Sequence, residues 1–278
     1  MLLSACTSTS SGGGGGGGGS LLDQLKKQGS INIGVAGEVP YGYIDNGKVT
    51  GEAPEVARAI FKKLGIDKVQ AKQVSFKQLI PALNAKQFDM VCAGMDITAP
   101  RCKNAQFSIP DYSVPVSLLV PKGNPKNVVT FKDVIAKKVK IAVETGAVEK
   151  DYATKVGVPE SQILTFGSPD DLLSAVTSKR AYAGVLTSIS IQTLVKKNPS
   201  APVEAAKGFK PVINGHAIAE TGGFTFRKDE SALVDAFNKQ LKQLHESGEW
   251  LKIVTPFGFT KDNLPIPGLT TQKLCQAS

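Results

Sequence analysis

From residue 30 onward, short apolar runs alternate with segments in which apolar residues recur every three to four positions. The first rhythm belongs to strands and the second to helices with one buried face. Ile31-Asn32-Ile33-Gly34-Val35 predicts a strand, and residues 51–64, with Val56, Ile60 and Leu64 on one face, predict a helix. Lys68 to Val74 reads as a second strand, and Ser75 is expected to cap a helix carrying Leu79, Ile80 and Leu83. The apolar run at 88–93 is a third strand. Thr98 is expected to cap a short helix with Pro100 in its first turn, where an amide hydrogen is dispensable. Such alternation builds a parallel sheet flanked by helices.

The pattern changes at Val114-Pro115-Val116-Ser117-Leu118-Leu119-Val120-Pro121, a long extended stretch, and then begins again. A strand at 139–143, a turn at 144–147, a helix to Lys155 and a strand at 162–165 follow. Ser168-Pro169-Asp170-Asp171 starts another helix, with a hydroxyl cap, an early proline and acids in the first turn. Residues 182–186 read as a strand, 188–197 as a helix and 222–228 as a return strand; Ser231 to Glu246 carries the stripe Leu233, Val234, Phe237, Leu241 and Leu244. The expected organisation is α/β and bilobal. Residues 21–118 with 222–278 form one lobe, 122–218 the other, and two crossing strands form the hinge. Ligands bind off the carboxyl ends of strands in such sheets, so facing lobes enclose a cleft.

Residues 1–20 have no such rhythm. Eight consecutive glycines, Gly12 to Gly19, follow a Ser/Thr stretch, a composition that behaves as a flexible tether. Leu3-Ser4-Ala5-Cys6 resembles a bacterial lipobox, which makes Cys6 the candidate lipidation site; the alternative is an incidental cysteine in a tail. From Cys6 the tether reaches roughly 20 Å by random-coil scaling. Too few residues precede Cys6 for a secretory signal, so either the start lies upstream or the sequence is trimmed.

The formal net charge of +9, from 33 Lys+Arg against 24 Asp+Glu, raises a nucleic-acid partner as a possibility. The lysines, however, are scattered singly or in pairs toward helix ends, with no basic stripe and no interleaved aromatics, which reads as solvated surface. No run of eighteen apolar residues predicts a membrane span. Cys92 sits in an apolar run and reads as core. A bridge between Cys102 and Cys275 would pin the tail to the body, and no cysteine or histidine spacing points to a metal or other cofactor.

Three stretches carry a resemblance: Gly37-Glu38-Val39-Pro40-Tyr41-Gly42-Tyr43, Gly51-Glu52-Ala53-Pro54-Glu55-Val56-Ala57, and Ala93-Gly94-Met95-Asp96-Ile97-Thr98-Ala99-Pro100-Arg101-Cys102. Together they resemble type II periplasmic binding proteins, the polar amino-acid family of ABC-importer receptors. Closer still, with Thr187-Ser188-Ile189-Ser190 and residues 248–254, they resemble ectoine/hydroxyectoine receptors. The resemblance implies two Rossmann-like lobes on a two-strand hinge, a small zwitterionic solute as ligand and a membrane permease as partner. It also implies a monomer held outside the cytoplasm by a lipid anchor, with no cofactor.

Arg101 in the first turn after Thr98 offers a fork that matches a carboxylate, and in the family this arginine holds the ligand's carboxylate; the competing role is a surface ion pair. Tyr41 and Phe76 are expected on the strand-end rim of the cleft, and the resemblance puts them against the ligand's cationic ring, where a desolvated aromatic face contributes roughly 0.5–2 kcal/mol. Core packing is the alternative for Phe76. Glu38 would answer the ring's charge. Gly94, Thr98, Ala147 and Thr187 complete the expected site.

Two departures bear on specificity. Asp96 stands where ectoine receptors have an aromatic residue, which adds a second acid and points to a ligand of more positive character; a local cap or lysine pair is the other reading. Thr187 replaces the aspartate that holds the α-ammonium in amino-acid receptors, and Ala147 replaces a hydroxyl residue. Receptors for polar or basic amino acids remain the alternative. Dehydratase-like enzymes share the fold, but no catalytic constellation accompanies Glu38 and Asp96, so no enzymatic role is expected.

Overall fold

The computed structural model describes residues 19–277. Cys6 and most of the glycine tether lie outside the described residues. Helix α1 (Leu21–Gln28) opens with a capping box in which Ser20 and Asp23 satisfy each other's free amides. The first lobe continues through β1 (Ser30–Val35), the hairpin β2–β3 (Tyr43–Asp45 and Lys48–Thr50), α2 (Glu52–Lys63), β4 (Lys68–Gln73), α3 (Leu79–Asn84), β5 (Met90–Asp96), α4 (Ala99–Cys102), β6 (Gln106–Phe107) and β7 (Tyr112–Val114). In its sheet β4, β1 and β5 run parallel.

Pro115, with no amide hydrogen to give a ladder, separates β7 from β8 (Val116–Pro121). The second lobe then adds α5 (Phe131–Ala136), β9 (Ile141–Glu144), α6 (Val148–Val156), β10 (Ile163–Phe166), α7 (Pro169–Thr177), β11 (Ala183–Thr187), α8 (Ser188–Lys197), β12 (Val203–Ala205) and the hairpin β13–β14 (Val212–Ile213 and His216–Ala217). Its sheet order is β10-β9-β11-β8-β12, parallel through the first three and antiparallel at β8. All of β8 pairs with second-lobe strands, so the passage between sheets falls at Pro115 rather than after residue 118.

The chain returns as β15 (Glu220–Phe226), antiparallel to β5, two residues earlier than the pattern at 222–228 predicts. Helices α9 (Ser231–Ser247) and α10 (Glu249–Val254) and the terminal α11 (Thr271–Gln276) close the first lobe. The α9 stripe of Leu233, Val234, Phe237, Leu241 and Leu244 is buried against Phe61, Phe224 and Phe226. Each sheet carries apolar clusters on both faces, as parallel sheets covered by helices require.

Three corrections concern local structure. Thr98 stands at the N-cap of α4 yet its side chain makes no capping bond, and α4 is four residues long. Ser75 likewise makes no cap; its hydroxyl bonds Gln78 Oε1, and the helix begins as a 3-10 turn at Phe76–Gln78. Tyr41, expected on the cleft rim, is 1% exposed and packs on Tyr112 and Phe259, because ring and hydroxyl both find partners inside.

Cys102 and Cys275 are joined in a disulfide that ties α11 to α4. Cys92 is buried and unbridged. Among the described residues no helix is long and apolar enough to cross a membrane.

Candidate functional site

The carboxyl ends of four strands point into the gap between the lobes. Beyond β1 lies Glu38, at the end of β5 lies Asp96, β9 ends in Glu144, and β11 ends in Thr187. A small cavity there, of about 20 Å³, is lined from the first lobe by Glu38, Tyr41, Phe76, Gly94, Asp96 and Arg101. From the second lobe come Ala147, Val148, Glu149 and Thr187. All the candidate ligand residues except Thr98 therefore meet in one place. Thr98 lines a neighbouring apolar cavity of about 150 Å³ with Pro100, Val148 and Tyr152. Solute pockets run to about 300 Å³ or more, so admitting a solute requires the lobes to separate.

Three hydrogen bonds cross the gap. Ser190 Oγ donates to Glu38 Oε1 at 2.5 Å, the Tyr41 hydroxyl to Thr187 Oγ1 at 3.2 Å, and Arg101 Nη2 to the Gly146 carbonyl at 2.9 Å. The other arm of Arg101 donates to the Asp96 carbonyl at 2.9 Å, and its guanidinium lies 5.3 Å from the centre of the Phe76 ring. Arg101 thus spans both lobes rather than facing solvent. The Phe76 face that the resemblance assigns to a ligand cation is taken by Arg101, while Phe76 also packs with Leu79 and Phe88 in the core.

Gly94 shows why the residue type matters. Its φ is +62°, and a Cβ there would sit 2.3 Å from the Tyr41 ring. Only glycine takes that conformation freely and leaves room for the aromatic ring.

Acids dominate the electrostatics. Glu38, Asp96, Glu144, Glu149 and Glu220 are all nearly or fully buried. Burial pushes Glu38 up to about 7; the Ser190 hydroxyl opposes the rise and the Asp96 charge adds to it. Asp96 is also raised by burial to about 7, with Arg101 pulling it back. Burial takes Glu149 to about 8 against the bond from its own amide, and neighbouring Asp96 and Glu38 push it further. Glu144 rises to about 9 from burial and the charges of Glu38, Glu149 and Asp171. Glu220 is raised well above its ordinary value by burial and then by Glu149 and Asp96.

Glu149, Glu144, Glu220 and the interlobe role of Ser190 escape sequence reasoning. An acid in the first turn of α6 looks like a partner for the helix dipole, and only the closeness of Asp96 and Arg101 gives Glu149 another meaning. Among the described residues no three histidine, cysteine or acidic side chains come together in the way a metal ion requires.

The architecture has counterparts among known proteins. The model of bacterial extracellular solute-binding proteins, family 3, matches residues 31–260. A probable amino-acid ABC transporter periplasmic-binding protein, y4tE of Sinorhizobium fredii, is 37% identical over 259 residues, covering 91% of this chain and 85% of that protein. The arginine-binding extracellular protein ArtP of Bacillus subtilis is 29% identical and covers 77% of this chain and 80% of its own. Among solved structures, EhuB in complex with hydroxyectoine superposes with a TM-score of 0.82 at 33% identity, covering 93% of this chain and 98% of that one. The fold is the bilobal type II solute-binding fold.

Proposed function

The chain belongs to the bacterial extracellular solute-binding proteins, family 3, and from that premise we propose that it is the receptor of an ABC importer for amino-acid-type solutes. It captures its solute outside the cytoplasm by lobe closure and delivers it to membrane permease subunits. The observation that carries this reading is the interlobe cavity, with Arg101 reaching across it beside Asp96 and Glu149. A solute carboxylate takes over the guanidinium from the Gly146 carbonyl, and its cationic part sits against the acids. Because each lobe supplies part of these contacts, the solute favours the closed form by the difference in its affinity for closed and open states.

For the solute itself, ectoine or hydroxyectoine is supported by the motif resemblance and by the likeness to EhuB, which was solved with hydroxyectoine. A basic amino acid is the second reading, favoured by one observation: Asp96 and Glu149 bring buried, unpartnered oxygens to the cleft. The likeness to the arginine-binding ArtP points the same way. We further propose a monomer, tethered to the membrane surface by a lipid on Cys6.

Calorimetry of the full chain against ectoine, hydroxyectoine, betaine, proline and the basic amino acids tests the proposal. Saturable 1:1 binding of one of them, with a smaller radius of gyration in X-ray scattering, is the expected result. No binding to any member of the panel overturns it.

A further inference from the structure

At the cleft, and buried beneath its lining at Glu220, carboxyl oxygens lack hydrogen-bond donors. Asp96 Oδ1, Glu149 Oε2 and both carboxyl oxygens of Glu220 are buried without a hydrogen-bond partner. Their residues are 6%, 4% and 0% exposed, so water does not reach them freely. Buried polar groups in folded proteins are satisfied with few exceptions, and a group of orphans in one place calls for a partner. Every orphan named here is a carboxyl oxygen.

The backbone explains how they come together. Asp96 on β5 is the register partner of Gly222 on β15, and Ile97 donates its amide to the Thr221 carbonyl at 2.9 Å. Side chains alternate along a strand, so Glu220, two residues before Gly222, rises on the same sheet face as Asp96, diagonally across from it. Gly222 has no side chain of its own, and the end of the Tyr112 ring, with its unpartnered hydroxyl, occupies that place. Glu149 approaches from the second lobe in the first turn of α6 and lines the same cavity as Asp96 and Arg101. The Asp96 charge bears on Glu149, and both bear on Glu220.

We propose that Asp96, Glu149 and Glu220 form a subsite for a second cationic group, so that the preferred solute carries a net positive charge. Such a solute has a carboxylate for Arg101, one cation toward Glu38, and a distal ammonium or guanidinium for the three acids. It is an α-amino acid or derivative with a basic side chain. Donor supply favours this chemistry: a guanidinium brings five N–H groups and an ammonium three, whereas a cyclic amidine brings two. The acids are also spread more widely than an inorganic cation bridges, since no three of them come together in the way a metal ion requires among the described residues. The subsite rests on the reading of the cleft as a solute site, and it makes Glu149 and Glu220 specificity residues in addition to Asp96.

The test is calorimetry on the full chain with L-arginine and L-lysine, their side-chain-neutral counterparts L-citrulline and L-norleucine, and ectoine. Arginine or lysine is expected to bind at least about tenfold more tightly than its neutral counterpart. Glu149→Gln and Glu220→Gln, which keep shape, are expected each to reduce that preference by about tenfold. Asp96→Asn serves as a further variant, and circular dichroism checks that each is folded. Equal binding of charged and neutral counterparts by the parent chain overturns the subsite, as does a preference unchanged in all three variants. If ectoine binds and the basic amino acids do not, the subsite alone falls. If nothing in either panel binds, the receptor reading falls with it.

Discussion

Glu38 of the first lobe accepts a hydrogen bond from the Ser190 hydroxyl of the second at 2.5 Å. The pair joins the loop after β1 to the first turn of α8, so it exists only while the lobes are together. It also lowers the cost of burying the Glu38 carboxyl, opposing the rise that desolvation imposes.

Removing that hydroxyl leaves a buried carboxyl oxygen without its donor. Ser190→Ala is expected to cost the closed arrangement about 1–3 kcal/mol. The readout is a larger radius of gyration in solution scattering than that of the parent chain. An unchanged radius, with unchanged hydrogen exchange along α8, would show that the pair contributes nothing to holding the lobes.

Arg101 is the joint on which capture depends. Its guanidinium touches the Asp96 carbonyl, the Gly146 carbonyl and the Phe76 ring, so it is already oriented before a carboxylate arrives. Arg101→Ala is expected to weaken solute binding by about 2–5 kcal/mol, because the solute's carboxylate is then enclosed without a partner. Titration calorimetry against the best-bound solute measures this directly. Arg101→Lys is expected to recover part of the loss, since it restores the charge without the fork.

Much of this molecule was legible in the chain. The mostly apolar runs at 31–35 and 88–93 became central strands because both of their faces are covered. The periodic stripe of residues 231–246 became α9 for the same reason that it could be read, namely that every stripe residue is buried. Two hairpins were not legible. Tyr43–Asp45 and Val212–Ile213 are strands of three and two residues with exposed positions, too short and polar to show a period. At the site, the residues legible from motifs meet with the exception of Thr98, but Glu220 lay just ahead of the return strand predicted at 222–228. Its meaning comes from its diagonal placement across from Asp96, a relationship between positions far apart in sequence that no local pattern encodes.

The buried acids make stability depend on pH in a definite direction. Glu38, Asp96, Glu144 and Glu149 hold their protons to about 7, 7, 9 and 8, against ordinary values of 4.5 or 3.8, and Glu220 is raised as well. Each binds its proton more tightly folded than unfolded. Stability is therefore greatest below the unfolded values, near pH 4 for these groups, and is lost as the pH climbs through the folded ones. The Arg101 charge, which pulls Asp96, Glu149 and Glu220 back down, moderates the loss without reversing it. The melting temperature without solute is expected to fall by roughly 5 °C or more from about pH 5 to pH 9. In Glu149→Gln the fall is expected to be shallower. Solute affinity is expected to move the opposite way and rise across the same window, as the acids that receive the cation ionise.

The disulfide offers a prediction that is independent of the cleft. Cys102 and Cys275 are 173 residues apart, so the bridge closes a long loop from α4 to α11 and restricts the unfolded chain accordingly. On the folded side it fixes α11, whose Leu274 packs with the cluster around Phe76 and Leu83, and whose Thr271 hydroxyl donates to the Ser108 carbonyl at 2.6 Å. Cys102→Ser with Cys275→Ser is expected to lower stability by about 2–5 kcal/mol in urea unfolding. Because α4 also carries Arg101, loosening it is expected to weaken solute binding, and by less than Arg101→Ala does. A double variant that keeps full stability would mean that the contacts of α11 hold the tail without the bridge. One that loses stability yet binds solute like the parent would mean that α4 is positioned by β5 and the Arg101 contacts alone.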